Sequence, residues 1–383
     1  MNQNIKFSKN IHFYFNAIYK LDKIITKNKN IIIVCSKRGQ KEILKKKLIF
    51  LKKNKISWIT NIENNPSKSF FQKLNLAKVK FDYLIAYGGG TAIDTAKVIK
   101  AMTTEKKDID MLLKMNNKFE KKTKIKFVAI PTTSGTGSEV TPYATVWDKK
   151  NKKKLSINSK FLIPNIVILD PSETIKIPRF VMISSAMDAL NQTFDSFWNK
   201  KFNKQLLSIA SESIKFLILG LKLKITNKLN KEASKYLAYG SILSGFCIKK
   251  TRTSICHSMS YPLTLHYNIP HGLACIATMP GVFYIILKKN NKKFDKLLIE
   301  MKYKNLSKFF KDLDYIFNNL QIKKHILSFL KSKNHFTNKK NEMLTPGRAD
   351  NFIYKLDDNT LDEILNYSSN FYLKNKDFQN ILQ

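Results

Sequence analysis

Apolar residues in the first 170 or so positions fall in short continuous runs, not in alternation. Residues 30–35 (NIIIVC), 56–62 (ISWITNI), 83–87, 127–130 and 166–169 are such runs, several of them rich in β-branched side chains and closed by polar or glycine-bearing turns. Runs of this length read as strands buried on both faces. Between them, QKEILKKKLIFLKK and FFQKLNLAKVK place their apolar residues at helical spacing. Strands alternating with helices predict a parallel sheet covered by helices. After Pro178 the spacing is helical almost to the end, with no internal repeat. The chain therefore divides into an α/β domain, 1–172, and an all-α domain, 173–383. The stretch 290–340, rich in lysine and asparagine, is expected to form solvated helices with polar loops.

Two loops break this pattern with unusual composition. The strand at 83–87 runs into Gly88, Gly89 and Gly90, and Thr91 opens a helix. Free backbone N–H groups at a helix start, with no side chains in the way, suit a phosphate. The spacing is not the GxGxxG fingerprint, which excludes an ordinary Rossmann loop. The second loop, PTTSGTGSE, sets Thr132, Thr133, Ser134 and Thr136 beside Gly135 and Gly137. Short hydroxyl donors among glycines fit closely around a nucleotide.

Candidate chemistry concentrates further on, in CHSMSYPLTLHYNIPHGLACIATMP, which holds His257, His266 and His271, half of the six histidines. His257 and Tyr261 lie four apart before Pro262, on one face of a helix, and His271 follows a turn at Asn268 and Pro270. Upstream, MDALNQTFDSFW carries Asp188 and Gln192 four apart, flanked by Met187, Leu190, Phe194 and Trp198 at helical spacing. One carboxylate, two imidazoles and an amide suit one divalent first-row metal, iron or zinc, with a position left open.

The set Asp188, Gln192, His257 and His271, together with GGGT and PTTSGTGSE, resembles the iron-containing (group III) alcohol dehydrogenases over nearly the whole chain. The resemblance implies a dehydroquinate synthase-like fold, with a Rossmann-like dinucleotide-binding domain, a helical metal-binding domain and the metal in the cleft between them. It also implies Asp94 and Lys97 at the family's conserved pair, hydride transfer between a nicotinamide and a metal-polarised aldehyde, and a homodimer. Two positions depart from it. Gln192 stands where most members have a histidine ligand, and Tyr261 stands where many carry a histidine proton relay. The run TRTSICHSMSYPLTLHYNIPHGLACI resembles a subgroup, the phosphonoacetaldehyde reductases or hydroxyethylphosphonate dehydrogenases. That implies a small anionic aldehyde, phosphonoacetaldehyde, reduced to 2-hydroxyethylphosphonate. A phosphonate taken out of water needs a cation, and Arg252, five residues before His257, is the candidate. Where many relatives place an acidic residue on the adenosine ribose, this chain has Ser36, Lys37 and Arg38, which leans the cofactor from NAD towards NADP. Sulfoacetaldehyde or a plain alkyl aldehyde is the alternative substrate. The alternative of another class is a non-catalytic nucleotide- or anion-binding protein.

Composition changes the picture little. The net charge of +40 would attract nucleic acid, but the lysines are spread along the whole chain, and there is no basic arm or recognition-helix pattern. No specific nucleic-acid partner is expected. Four cysteines without CxxC spacing, no signal peptide, and no apolar run of the length a bilayer requires lead to the expectation of a cytoplasmic protein with no membrane contact.

Overall fold

The computed structural model describes residues 7–382 except 75, 77–78, 116–122, 152, 228 and 290–291. Of the helix expected over 70–80, residues 75 and 77–78 lie outside the described residues, and the helix described there is Lys68–Lys73. The chain forms two compact units, Met1–Thr133 with Gly137–Thr174, and Ser134–Thr136 with Ile175–Gln383.

The first unit is built on a six-stranded sheet in the order β1-β8-β5-β4-β2-β3, every pairing parallel. Its strands are β1 (Ile11–Phe13), β2 (Asn30–Val34), β3 (Lys55–Ile59), β4 (Tyr83–Gly88), β5 (Lys126–Pro131) and β8 (Ile166–Leu169). Residues 31–34, 83–87 and 127–131 are buried without alternation, as a sheet covered on both faces demands. Ile31, Ile33, Ile85, Val128 and Ile168 fill one side of the sheet, while Leu84, Ala86, Phe127 and Ala129 face the other. The chain leaves β2 for the β3 edge and then returns to place β4 on β2's other side. That change of direction opens a crevice at the carboxyl ends of neighbouring strands, where ligands of open α/β sheets bind. The loops after β2, β4 and β5 all leave from this end.

Three elements differ from expectation. The helix over 40–53 is two pieces, Lys37–Lys45 and Ile49–Lys52, because Lys47 takes a left-handed conformation, φ 50°. The short edge strand β1 gave no apolar run long enough to mark it. The hairpin β6 (Tyr143–Asp148) with β7 (Lys153–Asn158), which no apolar run marked, pairs antiparallel and buries Ala144, Val146 and Ile157.

The second unit is all helical apart from isolated bridges and short turns among the described residues. At its centre is Arg179–Phe197, the aspartate helix, which is buried on nearly every face from Met182 onwards. A helix buried on nearly every face must be surrounded by others. Lys204–Thr226, Lys231–Thr251 and His271–Ala277 pack around it. The stretch 290–340 does more than was expected of it. Phe294, Phe309, Phe310, Leu313, Ile316, Phe317 and Phe336 are all in the core, so these helices bury an aromatic face. The histidine helix, Ile255–Tyr267, runs through Pro262 instead of ending before it. The lost N–H costs one hydrogen bond, but Met259 and Leu263 on either side are wholly buried, and that packing holds the helix together. Contrary to the expectation from the sequence, one apolar stretch does reach bilayer length. His271–Lys288 is long and apolar enough to span a bilayer, with mean hydropathy 1.4, yet 78% of it is buried inside this core.

Candidate metal centre and nucleotide-binding loops

The aspartate helix and the histidine helix meet through one carboxylate, Asp195, which is fully buried. Its Oδ1 accepts from Trp198 Nε1 at 2.8 Å and Cys256 N at 3.2 Å, and its Oδ2 accepts from Ser254 N at 2.9 Å, His257 N at 3.1 Å and His257 Nδ1 at 2.7 Å. Three of these donors are backbone N–H groups at the start of the histidine helix, so Asp195 caps that helix from a neighbouring one. Burial lifts the pKa of Asp195, but the bonds from His257, Trp198 and Ser254 outweigh it and hold the carboxyl below its ordinary range. A carboxylate can only accept, so Nδ1 of His257 carries a proton and the other ring nitrogen is aimed away from Asp195.

That second nitrogen, His257 Nε2, is buried, has no hydrogen-bond partner, and faces Asp188 Oδ1 across 3.3 Å. Around it converge Asp188, His257, His271 and Cys275, with one potential ligand atom from each lying within 4.8 Å of every other. A carboxylate behind a histidine whose outer nitrogen points into a nest of further donors is the arrangement of a metal ligand and its support. Burial pulls the His257 pKa down, while Cys275, Asp188 and Asp195 push it up. The push wins, so the ring keeps a proton that a divalent cation would displace. The donors present fit a divalent metal.

One close approach makes the convergence possible. His271 begins the short helix His271–Ala277, and the next residue, Gly272, lies against the aspartate helix so tightly that a Cβ would sit 1.8 Å from Ser184 O and 3.0 Å from Asp188 Cβ. Only glycine fits there.

Asp188, His257 and His271, three of the ligands inferred from the sequence, come together with Cys275. Gln192 lies one turn on from Asp188, and its Oε1 accepts from Ser244 Oγ at 2.8 Å. Tyr261 stacks on His271, rings 6.2 Å apart and 22° from parallel. Arg252 ends the helix Lys231–Thr251 in a left-handed conformation, φ 64°. Three residues were overlooked. Asp195 stands at positions i+7 from Asp188 and i+3 from Gln192, and Cys275 at i+4 from His271, so helical spacing could have found both. Arg348 had no local signal. It sits in the loop before Ala349–Asn351, and its Nε donates to Tyr261 Oη at 3.3 Å. Among the described residues no carboxylate lies within ion-pair distance of its guanidinium.

In the first unit, Gly88 has φ +156°, and a Cβ on Gly89 would meet Thr133 Oγ1 at 2.8 Å. Thr132 N donates to Gly88 O at 3.0 Å, which ties the two loops together. Gly89 caps the helix Gly90–Glu105, and Thr91 Oγ1 donates to Asn64 O at 2.9 Å. Asp94 accepts from Ser138 Oγ on one oxygen and from Thr145 N on the other, and so braces the hydroxyl loop. Lys97 does the same from within, donating to Ser138 Oγ, Thr141 O and Tyr143 O, and burial brings its pKa down to about 8. Ser36 accepts from Gly39 N as the N-cap of Lys37–Lys45, and Lys37 is exposed. Ser134 and Thr136 belong by their contacts to the second unit, where Gly135 packs against Ser185 of the aspartate helix.

The chain matches the profile of iron-containing alcohol dehydrogenase over residues 8–171 and that of the Fe-containing alcohol dehydrogenase family, C-terminal, over residues 182–329. It is 30% identical to a phosphonoacetaldehyde reductase of Streptomyces viridochromogenes over 209 residues, 53% of this chain and 53% of that protein. It is also 30% identical to a sulfoacetaldehyde reductase of Bilophila wadsworthia over 207 residues, with 53% of each covered. The chain thus spans about half the length of these relatives. Among solved structures, sulfoacetaldehyde reductase from Bifidobacterium kashiwanohense in complex with NAD+ is similar with a TM-score of 0.78 at 23% identity, covering 96% of this chain and 99% of that one. A 1,3-propanediol oxidoreductase is similar with a TM-score of 0.79 at 23% identity, covering 94% and 98%. At these identities the structural likeness is one of fold.

Proposed function

The chain belongs to the iron-containing alcohol dehydrogenase family, and on that premise we propose that it reduces phosphonoacetaldehyde to 2-hydroxyethylphosphonate with NADPH or NADH. The observation that carries this reading is the convergence of Asp188, His257 and His271 on one point, with the buried Nε2 of His257 turned into it. When bound, a divalent metal supplies Lewis acidity and the nicotinamide supplies hydride. Asp188, His257 and His271 hold the metal. Asp195 fixes the ring of His257 in the tautomer that can ligate. Gly88 to Thr91 receive the pyrophosphate at the start of their helix, and Thr132 and Thr133 beside them contact the nucleotide. Tyr261, packed on His271, gives the product oxygen its proton.

The anionic end of the substrate calls for a cation. Arg348 is better placed for it than Arg252, because Arg348 reaches the Tyr261 hydroxyl and has no carboxylate of its own to satisfy among the described residues. A guanidinium can meet two phosphonate oxygens at once. Sulfoacetaldehyde is the second reading, favoured by an equal identity to a relative of that name. The buried, unpaired thiols of Cys35, Cys247, Cys256 and Cys275 fit a reducing compartment, and we place the enzyme in the cytoplasm.

The test is NAD(P)H oxidation by metal-loaded protein against phosphonoacetaldehyde, sulfoacetaldehyde and propionaldehyde. The reading predicts the highest kcat/KM for phosphonoacetaldehyde. Higher turnover of sulfoacetaldehyde selects the second reading, and no oxidation with any aldehyde overturns both.

A further inference from the structure

We propose that Cys275 is a ligand of the metal, the fourth protein donor beside Asp188, His257 and His271, in place of the side chain at position 192. The inference rests on the metal-dependent reading above and names the donor set of that same site.

The argument begins with what Gln192 does. Its amide oxygen is held by Ser244, and an amide is in any case a weak donor. A site left with one carboxylate and two imidazoles has room for one further strong ligand. Cys275 supplies it. It stands one turn after His271 on the same short helix, its side chain is fully buried, and its Sγ lies 3.8 Å from His271 Nε2 and 3.9 Å from Nδ1. Two donors sharing one zinc stand roughly 3.3 Å apart for oxygen and nitrogen and roughly 3.6 Å for nitrogen and sulfur, from the ordinary bond lengths and a tetrahedral angle. The separation of Asp188 Oδ1 from His257 Nε2 is 3.3 Å, so the cluster already has close to the span that one cation requires.

The second, independent observation is His257 Nε2, buried and without a hydrogen-bond partner, which marks the same point from the neighbouring helix. The other thiols do not meet this description. Cys256 precedes His257 on its helix and is not in the converging group. On loading, a metal–sulfur bond forms, the S–H bond breaks, and the proton leaves to solvent. A thiolate is a soft donor, so the set favours zinc or cobalt over iron(II) more than an all-nitrogen-and-oxygen site would. Zinc tolerates expansion to five ligands, so four protein donors still leave it able to work.

The experiment is optical and needs no turnover. The full chain is stripped of metal, loaded with one equivalent of cobalt(II) and scanned in the near ultraviolet and visible, with bound metal counted by elemental analysis. The expected result is an intense sulfur-to-cobalt charge-transfer band in the parent protein. That band is lost in Cys275→Ser and kept in Cys256→Ser. Circular dichroism and loaded-metal content check that each variant is folded and filled, and Cys275→Ala serves as a second test should the serine hydroxyl disturb folding. A cobalt-loaded parent without the band, a band that survives Cys275→Ser, one that disappears with Cys256→Ser, or a protein that takes up no cobalt overturns the proposal. Aldehyde reduction is scored separately. A protein with the band and no reductase activity sinks the oxidoreductase reading and leaves the ligand in place, and the reverse pattern sinks only the ligand.

Discussion

Replacing Asp195 by asparagine should damage both the fold and the metal centre. The carboxylate accepts five hydrogen bonds, two on Oδ1 and three on Oδ2. An asparagine has one acceptor oxygen. Whichever way its amide turns, the NH2 faces two or three buried donors that then have no acceptor. Each such donor costs about 1–3 kcal/mol, so the variant should lose about 2–6 kcal/mol or more, a large share of the 5–15 kcal/mol that holds a typical domain together. Independently of stability, the ring of His257 loses the charge that sharpens its basicity and fixes its orientation. Losses of this kind typically weaken metal binding by about 10–100-fold. Urea unfolding followed by circular dichroism measures the first effect, and competitive zinc titration under native conditions measures the second. A destabilisation below about 1 kcal/mol together with unchanged zinc affinity would refute the role assigned to this carboxylate.

Three further outcomes follow from the same geometry. Gly272→Ala places a methyl group 1.8 Å from Ser184 O, so the His271 helix must move off the aspartate helix. The expected loss is at least about 1–3 kcal/mol with weakened metal binding, and an unaltered melting curve with full metal content would contradict it. Arg348→Ala should raise KM for phosphonoacetaldehyde by about 10–100-fold, the worth of a charged hydrogen bond, while leaving propionaldehyde unaffected. Equal changes for both substrates would remove the anion-binding role. Burial raises the Glu139 pKa to about 7, against a smaller pull from its own backbone and from Lys97. The native state therefore holds this proton where the unfolded chain has released it, and stability is lost as pH rises from about 4.5 to about 7. Denaturant midpoints should show Glu139→Gln gaining on the parent across that window, by up to about 3 kcal/mol. Parallel pH profiles for the two proteins would show that Glu139 does not titrate in this way.

The sheet could be read from the sequence because its strands are covered on both faces and so leave unbroken apolar runs at 31–34, 83–87 and 127–130. β1 is three residues at an edge, and the β6–β7 hairpin is half polar, so neither leaves such a trace. The helices over 290–340 were misjudged because lysine and asparagine dominate the count, although Phe309, Phe310, Leu313, Ile316 and Phe317 keep helical spacing beneath them. At the candidate centre, the histidines stood out because histidine is scarce in this chain. Asp195 and Cys275 were within reach of the spacing rule that found Asp188, but an aspartate and a cysteine in apolar surroundings do not announce what they face. Arg348 meets Tyr261 across 87 positions of sequence, and no local pattern encodes such a contact.

The aspartate helix has almost no outer side beyond its first turns. The chain carries 68 basic residues against 28 acidic ones, and none of its lysines lies on this helix. Surface charge can therefore be altered by substitution without disturbing the neighbours of Asp188, which are held by the crowding around them.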